Sequence, residues 1–181
     1  MTRTRLTGLI LALVAFGPTV SAASAAELAP GDPAPPFKLP GSDGKTYQLA
    51  DFQDRSVVVL AWFPKAFTGG CTIQCRAMRE EGELLRGFEV AYFTASCDTP
   101  EENRRFAESL ELDYPILSDP ERKVARAYGV VDDERPLPRR WTFIIGKDGT
   151  ILDIDREVNV ATHATDVARR LEKLGVAGRS E

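Results

Sequence analysis

The 181 residues suffice for one domain with a full hydrophobic core and little more. Hydrophobic residues make up 43% and charged residues 28%, and 23 basic against 27 acidic side chains leave a formal charge of −4. No basic stripe interleaved with aromatics occurs, and the Arg residues are scattered among Asp and Glu, which argues against a nucleic-acid partner.

The first segment reads as a secretory signal peptide. Arg3 and Arg5 precede the apolar run Leu6 to Phe16, and Ser21 to Ala26 offers small residues for cleavage near Ala25 or Ala26. Gly17-Pro18 interrupts that run short of the ~20 residues a membrane-spanning helix requires. Loss of residues 1–26 removes two Arg and no acid, so the mature charge becomes −6. The expectation is export, to a compartment such as the periplasm, with no membrane association after cleavage. Oxidising surroundings favour disulfides, but three cysteines cannot all pair within one chain, so one thiol is left over.

Residues 27–36, rich in Ala and Pro, predict an extended lead-in, and 37–176 a single domain followed by a flexible tail over 177–181. Phe37-Lys38-Leu39 and Tyr47-Gln48-Leu49 flank a Gly41 to Lys45 turn and form an N-terminal hairpin. Val57 to Phe63 is a continuous apolar, β-branched run, the pattern of a central strand buried on both faces. From Cys71 to about Arg86 the pattern is helical, with Ile73, Ala77 and Leu84 or Leu85 inward and Gly87 as the stop.

Val90 to Ala95 predicts a second buried strand. Thr99, Pro100 and Glu102 form a capping box that starts a helix running through Leu110. Tyr114 to Leu117 is short and extended, and Asp119-Pro120-Glu121 opens a helix through Ala127 that Gly129 ends. After an acidic, Pro-containing loop, Trp141 to Ile145 and Thr150 to Ile154 flank a Gly146 to Gly149 turn as a hairpin. Val167 to Leu174 forms the last helix, capped from Thr162 or Thr165. This order predicts an α/β three-layer sandwich around a mixed sheet.

Chemistry concentrates where the central strand ends. Pro64, Thr68, two glycines and Cys71 opening a helix would aim backbone N–H groups and a positive helix end at a sulfur, which favours thiolate. The spaced set Pro64-x-x-x-Thr68-x-x-Cys71, with Arg140 opening Arg140-Trp141-Thr142-Phe143, resembles the peroxiredoxins. The resemblance runs from about Gly31 to Leu174 and is nearest to the bacterioferritin-comigratory, or Q-type, branch.

That resemblance implies a thioredoxin-like fold and reduction of hydrogen peroxide or small alkyl hydroperoxides without metal, haem or flavin. It implies Cys71 as the peroxide-attacking thiol, Arg140 as the fixed positive charge, Thr68 as the group aligning peroxide and Pro64 as a shield against water. Neighbouring Arg139 is the fallback for Arg140. Electrons would come from a thioredoxin-like protein or a small thiol, and the chain would act as a monomer or weak dimer.

The second thiol stays open. The Q-type pattern places a resolving cysteine five residues after the first, where this chain has Arg76, and Cys75 stands one residue earlier. Cys97, just past the second buried strand, is the rival, and a mechanism with no internal resolving thiol is the third option. A thioredoxin-like disulfide oxidoreductase would want Cys-x-x-Cys, whereas three residues intervene here. A copper-binding thioredoxin-fold chaperone would draw on Cys71, Cys75 and His163, but His163 stands at the start of the last helix, where a capping or solvated role is the default.

Overall fold

The computed structural model describes residues 27–179, so the signal-peptide reading of 1–26 lies outside the described residues. Among the described residues no helix is long and apolar enough to cross a membrane.

The fold is a mixed five-stranded sheet with helices on its faces and a small two-stranded sheet at its N-terminal end. Strand β3 (Val57–Trp62) is buried at every position, as its unbroken apolar run requires. It pairs in parallel with β4 (Val90–Ser96) and antiparallel with β6 (Thr142–Ile145). Short β5 (Ile116–Ser118) and β7 (Ile151–Asp155) complete the order β5-β4-β3-β6-β7. The small sheet joins β1 (Lys38–Pro40) to β2 (Thr46–Gln48), the expected hairpin, although Leu49 already begins a 3₁₀ turn through Phe52.

Alternation along β3 and β4 divides the core. Val58, Leu60, Trp62, Phe93 and Ala95 face one side, against Phe37, Leu39, Tyr128 and Val130. Val57 and Val59 face the other, against Met78, Leu85, Val167 and Leu171 from the helices that cover it. Near the end of β3 a third cluster holds Phe63, Ala66, Cys71, Cys75, Phe106, Leu110 and Ile116. Full burial of each large apolar side chain contributes about 1.5 to 3 kcal/mol, so β3 and its neighbours form a stiff platform beneath that cluster.

Several helical expectations need correction. The helix read as one element from Cys71 to Arg86 is two, α1 (Gly69–Glu80) and α2 (Gly82–Arg86), broken at Glu81. The buried positions of α1 are Cys71, Gln74, Cys75, Ala77 and Met78, so Ala77 is inward as expected while Ile73 is exposed. Helix α3 (Pro100–Ser109) starts as its box predicts, Thr99 Oγ1 accepting from Glu102 N at 3.2 Å. By contrast α4 (Lys123–Ala127) begins four residues later than Asp119, because Arg122 takes a left-handed φ of 58°. Buried Asp119 instead accepts from Ala125 N at 2.7 Å.

The last helix, α5 (His163–Lys173), begins before Val167; Thr162 stands at its N-cap position as expected but makes no side-chain cap bond, its hydroxyl donating to Asp166, and the Thr165 hydroxyl donates to Glu81. Within the expected tail, the described residues 177–179 are anchored. Glu89 N donates to Ala177 O at 3.0 Å and Arg179 N to Gly87 O at 2.8 Å, so residues 177–179 run along the start of β4. At the other end the lead-in follows β7, with Gly31 N donating to Ile151 O at 2.8 Å.

Candidate active site

Three chain segments meet at the end of β3. The first is the loop Phe63 to Thr68 that feeds α1. Ala66 is buried, Phe67 is 54% exposed and takes a left-handed φ of 59°, and the Thr68 hydroxyl donates to Lys65 O at 2.9 Å. A non-glycine residue in that backbone region carries about 1 to 3 kcal/mol of strain, so other contacts must hold the loop. Pro64 is half-buried at the loop's start.

The second segment is the first turn of α1. Thr68 occupies the N-cap position without a side-chain cap bond, and Thr72 N donates to Thr68 O at 2.9 Å. The N–H groups of Gly69, Gly70 and Cys71 therefore have no acceptor within the helix, and they point with the positive end of its dipole toward the loop. Cys71 itself is 1% exposed, so only a small reactant reaches its sulfur.

The third segment is Arg139 to Trp141, leading into β6. Trp62 N donates to Trp141 O at 2.8 Å, which ties this stretch to the end of β3. Arg140 then points at the thiol: its Nη2 lies 3.4 Å from Cys71 Sγ, and its Nη1 donates to Gln74 Oε1. A Cβ on Gly70 would sit 3.4 Å from Arg140 Nη2, at van der Waals contact, so the guanidinium lies directly over the first turn of the helix. The guanidinium and the helix end together place positive potential at the sulfur.

With that geometry in place, comparison with known proteins is decisive. Residues 30–154 match the AhpC/TSA family. The chain belongs to that family, the peroxiredoxins. Peroxiredoxin Bcp of Escherichia coli is 34% identical over 139 residues, covering 74% of this chain and 88% of the relative. Chloroplastic peroxiredoxin Q of Gentiana triflora is 35% identical over 127 residues, 70% of this chain and 58% of the relative. Among solved structures, peroxidoxin BcpB of Mycobacterium tuberculosis superposes with a TM-score of 0.73 at 30% identity, covering 83% of this chain and 98% of that one. Peroxiredoxin Q of Xanthomonas campestris, at 22% identity and a TM-score of 0.70, shares the fold over 76% of this chain and 90% of its own.

This peroxiredoxin is thus a thiol-dependent peroxidase on the thioredoxin fold expected from its motif. Its structure also carries groups that sequence reasoning passed over. Gln74 is fully buried and holds the Arg140 guanidinium, and its position three residues after Cys71 on the inner stripe was the available sign. His163 is neither capping nor solvated: it is fully buried, and its Nε2 hydrogen-bonds Thr142 Oγ1 at 2.8 Å. Burial, and then the nearby Arg140 charge, depress its pKa to about 4 from 6.5. Arg139 is engaged elsewhere, with Asp132 at 2.7 Å and Gly129 O at 2.9 Å. Among the described residues no three His, Cys, Asp or Glu side chains converge as a metal set, and Cys71, Cys75 and His163 do not form one.

The peroxiredoxin treats its other two thiols differently. Cys75 is fully buried in the same cluster as Cys71, and burial pushes its thiol up to about 12. Tyr114 Oη donates to the Cys75 carbonyl at 3.0 Å, across from the helix. Cys97 does lie at the carboxyl end of β4, whose Ala95 pairs with Trp62 of β3. Strand alternation, however, turns it to the face of Trp62 and Tyr128, away from Cys71 and Cys75. Burial, and then Asp119, push its thiol up to about 12 as well.

The depressed His163 makes an acid-stability prediction. A group whose pKa falls on folding contributes stability that is present above its unfolded pKa near 6.5 and is lost as pH drops toward about 4. Over that window the loss approaches about 3 kcal/mol, at 1.36 kcal/mol per unit. Urea midpoints at pH 7 and pH 5 should therefore differ markedly in the native chain and much less in His163→Gln. Equal differences in the two proteins would remove His163 as the source.

Proposed function

We propose that this peroxiredoxin is exported and reduces hydrogen peroxide or small alkyl hydroperoxides through Cys71, with Cys75 as its resolving thiol. The observation that carries the reading is the Arg140 guanidinium 3.4 Å from Cys71 Sγ at the first turn of α1. A peroxide cleavage site needs a thiol nucleophile beside a cation that stabilises charge moving onto the leaving oxygen, and Cys71 and Arg140 stand in that relation.

In the first step the Cys71 thiolate attacks the nearer peroxide oxygen. An S–O bond forms, the O–O bond breaks, and the departing alkoxide or hydroxide takes a proton to leave as alcohol or water. Cys71 is oxidised to sulfenic acid and the peroxide is reduced by two electrons. Thr68 Oγ1, already donating to Lys65 O, keeps lone pairs to accept the peroxide O–H and align it with the sulfur. The N–H groups of Gly70 and Cys71 complete a small nest for the developing charge. Pro64, which has no N–H, limits water at the thiolate.

In the second step a thiol displaces hydroxide from the sulfenic sulfur, releasing water and forming a disulfide. Cys75 shares the inner face of α1 with Cys71 and lies in the same cluster, which favours it over Cys97 on the other side of the sheet. Residues four apart on a helix keep their Cβ atoms about 5 to 6 Å apart. A disulfide needs about 3.5 to 4.5 Å. The first turns of α1 must therefore unwind, which also frees the buried Cys75 thiol. A thioredoxin-like dithiol or a small thiol then reduces the bond and takes up its oxidation. The signal-like residues 1–26 support a periplasmic setting, where the oxidised enzyme needs a dedicated reductant.

Treatment with one equivalent of peroxide followed by peptide mapping tests the assignment. The native chain should yield a Cys71–Cys75 linkage. Cys75→Ser should consume the first equivalent at the native rate and then hold a sulfenic acid that dimedone traps. A Cys71–Cys97 linkage, or a slowed first step in Cys75→Ser, would overturn the resolving role.

A further inference from the structure

Among the described residues, one side-chain acceptor holds the strained loop before α1 from outside. Ala66 N donates to Asp98 Oδ2 at 2.8 Å, one residue before Phe67 takes its left-handed φ of 59°. Asp98 stands in the connection from β4 to α3, and its position is fixed in turn. Its own N–H donates to Ser96 Oγ at 3.2 Å. Ser96 Oγ exchanges hydrogen bonds with the Asn103 side chain at 3.1 and 3.0 Å, and Asn103 Nδ2 donates to Ser118 Oγ at 2.8 Å. Ser96, Asn103 and Ser118 are all fully buried, so β4, α3 and β5 lock one another behind Asp98. A second pin comes from the same unit, the Phe67 ring lying 5.0 Å from that of Phe106 on α3.

We propose that Asp98 is a positioning residue for peroxide reduction: its carboxylate, set by the Ser96–Asn103–Ser118 network, holds the Pro64 to Thr68 loop in the conformation that aligns Thr68 with Cys71. The proposal rests on the peroxidase reading of Cys71 and Thr68. It requires an acceptor at this point and not a charge, because the donor is a neutral amide. It also predicts a selective defect. Alignment of the O–O bond depends on the loop, whereas alkylation of Cys71 by a small reagent depends on the thiolate and on Arg140, which come from α1 and the approach to β6.

The test measures two rates on the mature chain, stopped-flow consumption of hydrogen peroxide and alkylation of Cys71 by iodoacetamide, with thermal melting as a check on folding. Asp98→Ala should lower kcat/KM for peroxide by about 10- to 100-fold, the range that a misplacement near 1 Å produces. Alkylation should change by less than about threefold, and Asp98→Asn, which keeps an acceptor, should stay within about threefold of native on both rates. Should Asp98→Ala not fold, Asp98→Glu takes its place, since it keeps the charge and displaces the acceptor by one methylene, with the same selective loss expected. Native peroxide rates in the Ala or Glu variant, parallel loss of both rates, or an Asn variant as impaired as the Ala variant would each overturn the proposal. Peroxide consumption by Cys71→Ser in the same assay would instead remove the underlying peroxidase reading, so the two failures are told apart.

Discussion

Replacing Cys71 with serine should lower kcat/KM for hydrogen peroxide by at least about a thousandfold, to the buffer background. A serine hydroxyl in the same pocket stays protonated at neutral pH and is a poor nucleophile toward peroxide oxygen. Everything around the sulfur is nevertheless kept: the free N–H groups of α1, the Arg140 guanidinium and the 1% exposure of the side chain. The substitution alters one atom in a close-packed cluster with Phe63, Ala66 and Phe106, so thermal stability should change little. Stopped-flow consumption of peroxide, run beside Cys75→Ser and Cys97→Ser with a thioredoxin system supplying turnover, measures the effect. Only the first of the three should lose the initial peroxide step. Retention of that step by Cys71→Ser would move the nucleophile to another residue.

Substituting Arg140 by methionine should cost about 10²- to 10³-fold in kcat/KM, the usual effect of removing one preorganised donor from a site of developing charge. Arg140 makes two directed contacts, to Cys71 Sγ at 3.4 Å and to Gln74 Oε1, so its planar fork is held between the reacting atom and a buried amide. Lysine preserves the charge but offers no second arm in a fixed plane, and Arg140→Lys should recover only part of the loss. Methionine keeps the unbranched apolar stem while removing the charge and both N–H arms, so the effect reports chiefly on the guanidinium. Iodoacetamide alkylation of Cys71 should slow together with peroxide reduction in Arg140→Met, the opposite of the selective pattern expected at Asp98. A peroxide rate within about threefold of native in Arg140→Met would mean that the guanidinium is not used at the sulfur.

Much of this protein is legible in its residues. The run Val57 to Trp62 announced a strand buried on both faces, and it is the middle of the sheet. The Thr99-Pro100-Glu102 box started α3 where it stands, because a cap is a local arrangement that a few adjacent residues complete by themselves. Other starts were misread for the complementary reason. Thr162 has the chemistry of a cap, but its hydroxyl donates to Asp166, and α5 begins at His163 because burial of that ring against Thr142 is decided by β6, 21 residues away in sequence. Asp119 looked like the start of a helix and serves one from outside, by way of a left-handed Arg122. Ile73 looked like core and is 49% exposed, since the inner stripe of α1 follows Cys71, Gln74 and Cys75.

By itself, the sequence determined the family, the sheet-centred architecture and the spaced set Pro64, Thr68, Cys71 and Arg140, because each of these rests on residue type at fixed local spacing. Tertiary structure alone decided who stands beside whom. It set Arg140 against both Cys71 and Gln74, buried His163 beside Thr142, and brought Asp98 under the Ala66 amide. It also turned Cys97 to the far face of the sheet while Cys75 stayed with Cys71. The physical reason is the same in each case: strand alternation and sheet order fix the direction of a side chain, and neither is written in the residues next to it.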